Sequence, residues 1–248
     1  MEKTVHFIMY HYVRDLKNSE YPTIKGLDKE LFERQLAYLL EHYTPVRMDE
    51  ILTAYRKNDF SDIPENGFVL TFDDGYIDHY EVVYPILKKA GVQGVFFPNT
   101  MAWKENKLLT VNRIHFILAA VELKGSFAMK QLVADCFEEM DNYRRQGVNL
   151  LSNEELYHNL AVANRWDPGE VIFVKRLLQN ALPEEIRNEI ARRLFQKYVG
   201  CEESAFAKKL YMNFLQMKEM KENGMFFGIH GYDHYWLAKL SKEQMEKD

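Results

Sequence analysis

Two carboxylates and two imidazoles in this sequence have the types and the spacing that a metal site needs. Asp73 and Asp74 are adjacent and directly follow the apolar run that ends at Phe72, and His230 and His234 lie four residues apart. Adjacent buried carboxylates repel each other unless positive charge lies close to them. Two neutral imidazoles and one carboxylate suit Zn²⁺ or a similar divalent transition metal, and they leave positions open for water and substrate. The pattern predicts a catalytic metal centre of Asp74, His230 and His234.

The other carboxylate, Asp73, is then free to act on protons. A carboxylate beside a metal can accept a proton from an attacking water, so the expected reaction class is metal-assisted hydrolysis of an acyl group. Two simpler interpretations stay open here, since an Asp-Asp-Gly turn can cap a helix and eight histidines in 248 residues give an HxxxH spacing by chance. A glycoside hydrolase with two acids fits poorly, because neighbouring residues on an extended segment point in opposite directions.

Four apolar, β-rich runs are placed so that their ends could bring these residues together. They are residues 5–10, 68–72, 93–97 and 225–229. Each is apolar nearly throughout, which is typical of strands buried on both faces of a parallel sheet. In parallel α/β folds the chemistry collects at the carboxyl ends of the strands. The side chains expected there, besides the four above, are His11 and Asn99, which we predict to contact substrate.

Helical patterns separate these runs and give the strand, helix, strand order of a parallel α/β architecture. Asp28 can cap a helix with one apolar face, and a second pattern at 80–90 ends at Gly91. His79 is expected on the surface of that second helix. Residues 241–248 have the pattern of the first turns of a further helix.

The rhythm changes in the middle of the chain. Residues 103–222 show helical periodicity without a convincing strand, with a capping box at Ser152 and a helix start at Pro183. We therefore predict a catalytic domain formed by residues 1–102 and 223–248, interrupted by a helical insertion at 103–222.

Composition excludes several classes of protein. At 248 residues and 47% hydrophobic the chain can build a large core, and a net charge of −5 without a basic stripe argues against nucleic-acid partners. No apolar run approaches a membrane span, and the amino terminus lacks signal-peptide features, so a cytoplasmic protein is expected. Cys136 and Cys201 both lie in predicted helices, which favours two buried thiols over a disulfide framework.

The two chemical clusters resemble the motifs of a known family. Residues 71–75, TFDDG, are similar to the first motif of the polysaccharide deacetylases, the NodB-like carbohydrate esterase family 4. Residues 230–234, HGYDH, are similar to their second motif, H-[ST]-x-x-H, with Gly231 in place of the usual Ser or Thr. Residues 9–13 and 91–97 resemble strands of the same family.

The resemblance implies a fold, a reaction and a set of roles. The fold would be α/β, a partial (β/α) barrel with the helical insertion, in which Asp73 is the general base and Asp74, His230 and His234 bind the metal. The reaction would remove acetyl groups, usually N-acetyl, from an acetylated amino sugar or a saccharide precursor, in cell-surface polysaccharide biosynthesis or modification.

The family's later motifs supply an arginine and a histidine that acts as the general acid. These motifs do not occur in the 14 residues after His234. The alternative hypothesis is therefore a family member that keeps the metal site and binds sugar without turnover. A partial barrel would also expose a sheet edge, so either a homo-oligomer or poor solubility is expected.

Overall fold

The structure is a computed structural model that describes residues 3–248, without the side chains of Lys239 and Lys247. The chain divides into two compact units. The first unit contains the described residues up to Ser19 together with Lys25–Lys107 and Ser204–Asp248, and the second contains Glu20–Ile24 and Leu108–Glu203. Residues 204–222, which the sequence prediction assigned to the helical insertion, are thus grouped with the first unit.

Parallel strands form the centre of the first unit. The strands are β1 (Thr4–Tyr10), β2 (Val13–Arg14), β3 (Leu27–Asp28), β4 (Thr44–Pro45), β5 (Asn66–Asp74), β6 (Gly94–Pro98) and β7 (Phe226–Phe227). The main sheet has the order β1-β5-β6-β7, and β4 pairs with the beginning of β5. Strands β2 and β3 form a separate parallel pair. The predicted α/β class with a parallel sheet is confirmed.

Helices connect the strands and fill the long segment between β6 and β7. They are α1 (Lys29–His42), α2 (Met48–Lys57), α3 (Tyr84–Ala90), α4 (Thr100–Glu105), α5 (Thr110–Glu122), α6 (Ser126–Arg145), α7 (Asn153–Leu160), α8 (Gly169–Arg176), α9 (Glu184–Tyr198), α10 (Glu203–Leu210), α11 (Phe214–Glu222) and α12 (Lys242–Lys247). Within residues 3–248, none of the helices combines the length and the apolar character that crossing a bilayer requires.

Strand β5 is the buried centre of the sheet because its residues are apolar on both faces. Phe68, Leu70 and Phe72 belong to one core cluster, while Val69 packs in a second cluster with Val95 of β6. Phe68–Leu70 and Phe72 are each at most 1% exposed. Because β5 is buried on both faces, Asp74 at its carboxyl end is held at the buried centre of the sheet.

Strand β1 is more exposed than its apolar sequence predicts. We expected every apolar run to be buried on both faces, but Phe7 and Met9 are 54% and 62% exposed. The physical reason is position, since β1 lies at the end of the strand order and pairs only with β5 in the described part of the chain. An exposed edge of this kind fits the expected homo-oligomer, which stays a prediction.

Local capping signals begin and end several helices as the sequence indicates. The carboxylate of Asp28 accepts the N–H of Glu30 at 3.0 Å, and Ser152 forms the expected capping box. Gly91 ends α3 in the left-handed conformation that glycine adopts readily. The prediction for Cys201 was wrong, because this residue lies in a bend between α9 and α10, and only Cys136 is buried.

The second unit is helical and has its own core and polar network. Phe137, Tyr157 and Phe173 pack ring against ring with centroids 5.0–5.9 Å apart. The buried carboxylate of Asp135 pairs with Lys197 at 2.6 Å. Aromatic packing and a paired internal charge account for a stable helical unit without strands.

Phe32 tests the aromatic core of the first unit. Its ring is fully buried and packs edge-on against Tyr10 and Phe72, with centroids 5.3 and 5.9 Å away. Phe32→Ala should lower the free energy of unfolding by about 3–5 kcal/mol, because a large cavity remains. The matched change at the neighbouring, 47% exposed Leu31 should cost under about 1 kcal/mol. Urea unfolding measures both values, and similar losses would contradict this assignment of the core.

Candidate metal centre

Asp74 is held in an unusual backbone conformation at the carboxyl end of β5. Its φ is +71°, in the left-handed region that few residues other than glycine adopt. Gly75 follows with φ +70°, and a Cβ at Gly75 would lie 2.7 Å from Cβ of Pro98 on the neighbouring strand. The glycine of the first motif is therefore required by both its backbone angle and the close approach of β6. The turn leaves the Asp74 side chain 97% buried, with a relative exposure of 3%.

The two oxygens of the Asp74 carboxylate have different surroundings. The hydroxyl of Tyr76 donates to Oδ2 at 2.6 Å. Tyr76 is itself fully buried and stacks on Tyr12 with ring centroids 4.0 Å apart, so this donor is rigidly placed. Oδ1 is buried and accepts no hydrogen bond within residues 3–248. An unsatisfied buried carboxylate oxygen is costly, and it requires an explanation.

The second motif supplies that explanation. Nε2 of His234 lies 3.3 Å from Oδ1 of Asp74, and Nε2 of His230 lies 3.5 Å from the same oxygen. The three side chains are the group in the described residues whose ligand atoms lie within 4.8 Å of one another. Two ligand atoms of a tetrahedral zinc ion are about 3.4 Å apart, from bond lengths of about 2.1 Å. The donor types and their spacing therefore fit a divalent ion at this position.

Charge at the site is organised around Asp74. Burial acts to raise the pKa of its carboxyl, but the neighbouring His234 and the hydroxyl of Tyr76 outweigh that effect and lower the pKa to about 2. The interaction with Asp74 raises the pKa of His234 in turn. Asp74 is therefore a carboxylate throughout the physiological pH range, as a metal ligand must be.

The second-motif loop also uses left-handed backbone. Gly231 has φ +73° and His234 has φ +59°. A Ser or Thr at residue 231, as the family pattern has, would be strained in this conformation, whereas glycine adopts it readily. The glycine at residue 231, which differs from the family motif, is thus consistent with the left-handed backbone of this loop. Backbone strain at functional sites is common, and here it affects two of the three candidate ligands.

Asp73, the predicted base, differs from Asp74 in its environment. It is partly buried, and its carboxylate makes no hydrogen bond in the portion of the chain that is described. Burial raises its pKa above the ordinary value of an aspartate, against the opposing influence of His230 and His11. A free carboxylate with a raised pKa has the properties of a general base. The exposed side chain of His11 is close enough to influence this carboxyl.

Asn99, the other predicted substrate contact, has no exposed surface. It follows β6, and its side-chain amide donates to the backbone carbonyl of His230 at 3.4 Å. The structure therefore places Asn99 beneath the second-motif loop, where its contact is with the protein.

His79 was expected on a helix surface, and this prediction was wrong. The residue is fully buried at the start of a π-helical turn, His79–Val83, that continues into α3. Its Nε2 lies 2.8 Å from the carbonyl of His11, to which it donates, and Nδ1 is buried without a hydrogen-bond partner in residues 3–248. Tyr76 and Phe72 border its ring. The helical pattern at 80–90 gave no signal that this ring turns inward below the site.

A buried ion pair lies near the same turn. Nε of Arg14 donates to Oδ2 of Asp78 at 2.7 Å, and the guanidinium lies over the ring of Tyr12 at 4.8 Å. Tyr12 stacks on Tyr76, which holds Asp74. Sequence reasoning missed this support for the site, since the residues lie on separate segments and share no spacing pattern.

His79 should make stability depend on pH. Burial lowers its pKa from 6.5 to about 4, so below pH 6.5 the unfolded chain takes up a proton that the folded protein does not bind. The free energy of unfolding should therefore fall, by up to about 3 kcal/mol, as the pH drops from about 6.5 towards 4. His79→Gln keeps a donor for the His11 carbonyl but does not titrate, so its stability should change less with pH.

Urea unfolding at pH 7, 6, 5 and 4 measures this difference. The exposed His158 provides the matched control, because His158→Gln should keep the pH dependence of the original chain. Equal slopes for the two variants would contradict the assignment of this effect to His79.

Comparison with known proteins supports the motif resemblance. Residues 61–154 match the family model for polysaccharide deacetylase. YxkH of Bacillus subtilis (strain 168), a protein assigned to the polysaccharide deacetylases, is 31% identical over 94 residues. That match covers 36% of this chain and 30% of YxkH, so it spans less than a third of the relative.

Solved structures with similarity to this chain include two deacetylases. A Streptococcus pyogenes deacetylase, PplD, in complex with acetate has a TM-score of 0.47 at 17% identity, covering 100% of this chain and 65% of that one. A de-N-acetylase from Aggregatibacter actinomycetemcomitans has a TM-score of 0.34 at 31% identity, covering 41% and 39% of the two chains. The match to the family model confirms the resemblance for residues 61–154, which contain the first motif at 71–75 and do not include the second motif at 230–234.

Proposed function

We propose that this chain is a divalent-metal-dependent hydrolase that removes acetyl groups, N-acetyl above all, from a saccharide in cell-surface polysaccharide biosynthesis or modification. The observation that carries the proposal is the buried Oδ1 of Asp74, which accepts no hydrogen bond among the described residues and faces two imidazole nitrogens at 3.3 and 3.5 Å. The match of residues 61–154 to the polysaccharide deacetylases supports the substrate class.

Three side chains would hold the ion, and a supporting residue, Tyr76, orients one of them. Asp74 would bind through Oδ1, and His230 and His234 through Nε2. Tyr76 keeps Oδ2 of Asp74 occupied, which leaves Oδ1 directed at the histidines. When bound, an ion such as Zn²⁺ would polarise the acetyl carbonyl and make an attacking water more acidic.

Asp73 would move the proton in this reaction. Its carboxylate accepts a proton from the water whose oxygen attacks the acetyl carbon. The carbon–nitrogen bond then breaks, and the carboxyl of Asp73 gives the proton to the departing nitrogen, so that a free amine and acetic acid are formed, and the acid ionises to acetate in water. Burial raises the pKa of Asp73, and a carboxylate with a raised pKa accepts this proton more readily than an ordinary aspartate does.

Metal dependence can be tested by binding and turnover together. After removal of metal with a chelator, the chain should bind one Zn²⁺ and release acetate from N-acetylglucosamine oligomers only when the ion is restored. His230→Ala removes one of three ligands and should weaken Zn²⁺ binding by at least about 100-fold. His158→Ala, an exposed histidine in the second unit, should leave both measurements unchanged. A chelated chain that keeps full turnover would overturn the metal assignment.

The same assays can distinguish the role of Asp73 in proton transfer from the role of the three metal ligands. Asp73→Asn should keep Zn²⁺ affinity within about twofold while lowering kcat by about 10²–10⁴-fold, because only the proton transfer is lost. The exposed Asp62 offers a matched change, Asp62→Asn, that should not alter kcat. Since a raised pKa delays ionisation, the activity of the original chain should increase with pH through a range above the ordinary aspartate value. Unchanged kcat in Asp73→Asn would exclude this role.

A further inference from the structure

Asn99 occupies a helix-capping position and does not cap the helix. It directly precedes α4, and asparagine at this position usually accepts a hydrogen bond from a backbone N–H two or three residues later. The Asn99 side chain makes no such bond. Its amide nitrogen donates instead to the carbonyl of His230 at 3.4 Å, and Asn99 itself has no exposed surface.

The two backbone N–H groups that follow are also used by the second-motif loop. The N–H of Thr100 donates to the carbonyl of Gly231 at 3.3 Å, and the N–H of Met101 donates to the carbonyl of Tyr232 at 3.0 Å. Together with the Asn99 amide, three consecutive residues supply donors to three consecutive carbonyls that begin at His230. A loop with left-handed backbone at Gly231 is thereby held at successive points.

The segment that carries these donors begins next to Asp74. In the parallel register of β5 and β6, Asp74 pairs with Pro98, the residue before Asn99. The contact from Asn99 to His230 therefore joins the strand next to one candidate ligand to the backbone of another. These two ligands come from distant parts of the sequence, so their relative position depends on non-covalent contacts such as this one.

The orientation of the Asn99 amide follows from its surroundings. Turning the amide over would direct Oδ1 at the His230 carbonyl, and two acceptors would then face each other. In the orientation present, Oδ1 is buried without a hydrogen-bond partner among residues 3–248. The role of this buried amide is thus to donate a hydrogen bond to the second-motif loop.

We propose that Asn99 is a positioning residue of the metal centre, whose amide fixes the His230 backbone and thereby the distance between the His230 imidazole and Asp74. The proposal rests on the proposed metal-dependent function. Residues that orient metal ligands typically contribute about 10–100-fold to metal affinity.

Asn99→Asp tests the proposal, because it preserves size and removes the donor. We expect Zn²⁺ affinity, measured in competition with a chromophoric chelator, to fall by about 10–100-fold. Visible absorption of the Co²⁺-loaded protein should change in intensity and position as the ligand geometry is disturbed. A variant that folds but holds its ligands badly shows both effects, whereas a loss of stability alone leaves the Co²⁺ spectrum of the folded fraction unchanged.

Gln93→Glu is the matched control. Gln93 directly precedes β6, is 8% exposed, and donates through its amide to the backbone carbonyl of Gly224 at 2.8 Å. It makes the same kind of contact to the returning chain at the opposite end of the strand. Its Zn²⁺ affinity should stay within about twofold of the original, and thermal unfolding of the metal-free proteins compares the stability costs.

Asn99→Ser provides a second variant in case the buried aspartate prevents folding. Its hydroxyl is a shorter donor, so Zn²⁺ binding should be weakened less than by Asn99→Asp. Original affinity and spectrum in a folded Asn99→Asp protein would overturn this proposal and leave the proposed function intact, as would an equal loss in Gln93→Glu. An original chain that binds no Zn²⁺ would overturn both.

Discussion

The buried carboxylate of Asp74 is the constraint on which the candidate site depends. A negative charge with almost no exposure needs a donor for each oxygen or a positive partner, and among the residues that the structure describes only Oδ2 receives a hydrogen bond, from Tyr76. The two imidazoles that face Oδ1 are 3.3 and 3.5 Å away, which is a spacing suited to an ion between them. The tyrosine, the turn at Gly75 and the loop that carries the histidines all serve to keep this carboxylate in place.

The fold delivers these groups from distant parts of the chain by a simple physical route. Apolar residues on both faces bury β5, and its parallel neighbour β6 ends beside it, so that Asp74 and the segment after Pro98 meet at one edge. The chain returns at β7, whose pairing with β6 brings the second motif to the same edge. Burial of strands and backbone pairing therefore position the chemistry, in agreement with the behaviour of parallel α/β folds.

Much of the fold and of the candidate site could be predicted from local sequence patterns. The aspartate pair at the end of an apolar run, the capping residues Asp28 and Ser152, and the helix end at Gly91 all act through neighbouring backbone, so the sequence alone identifies them. Burial is harder to predict, because it depends on which segments come to cover a residue. For this reason β1 is more exposed than its sequence suggests, while His79 and Asn99 lie inside.

The left-handed backbone of Asp74 and His234 could not be predicted either, since aspartate and histidine adopt it more often than most non-glycine residues but still only in a small minority of cases. The most direct test of the metal site is anomalous X-ray diffraction at the zinc absorption edge from crystals grown with Zn²⁺. A metal centre at this position predicts one strong peak within coordination distance of Asp74, His230 and His234. Saturating zinc with no peak between these three side chains would contradict it.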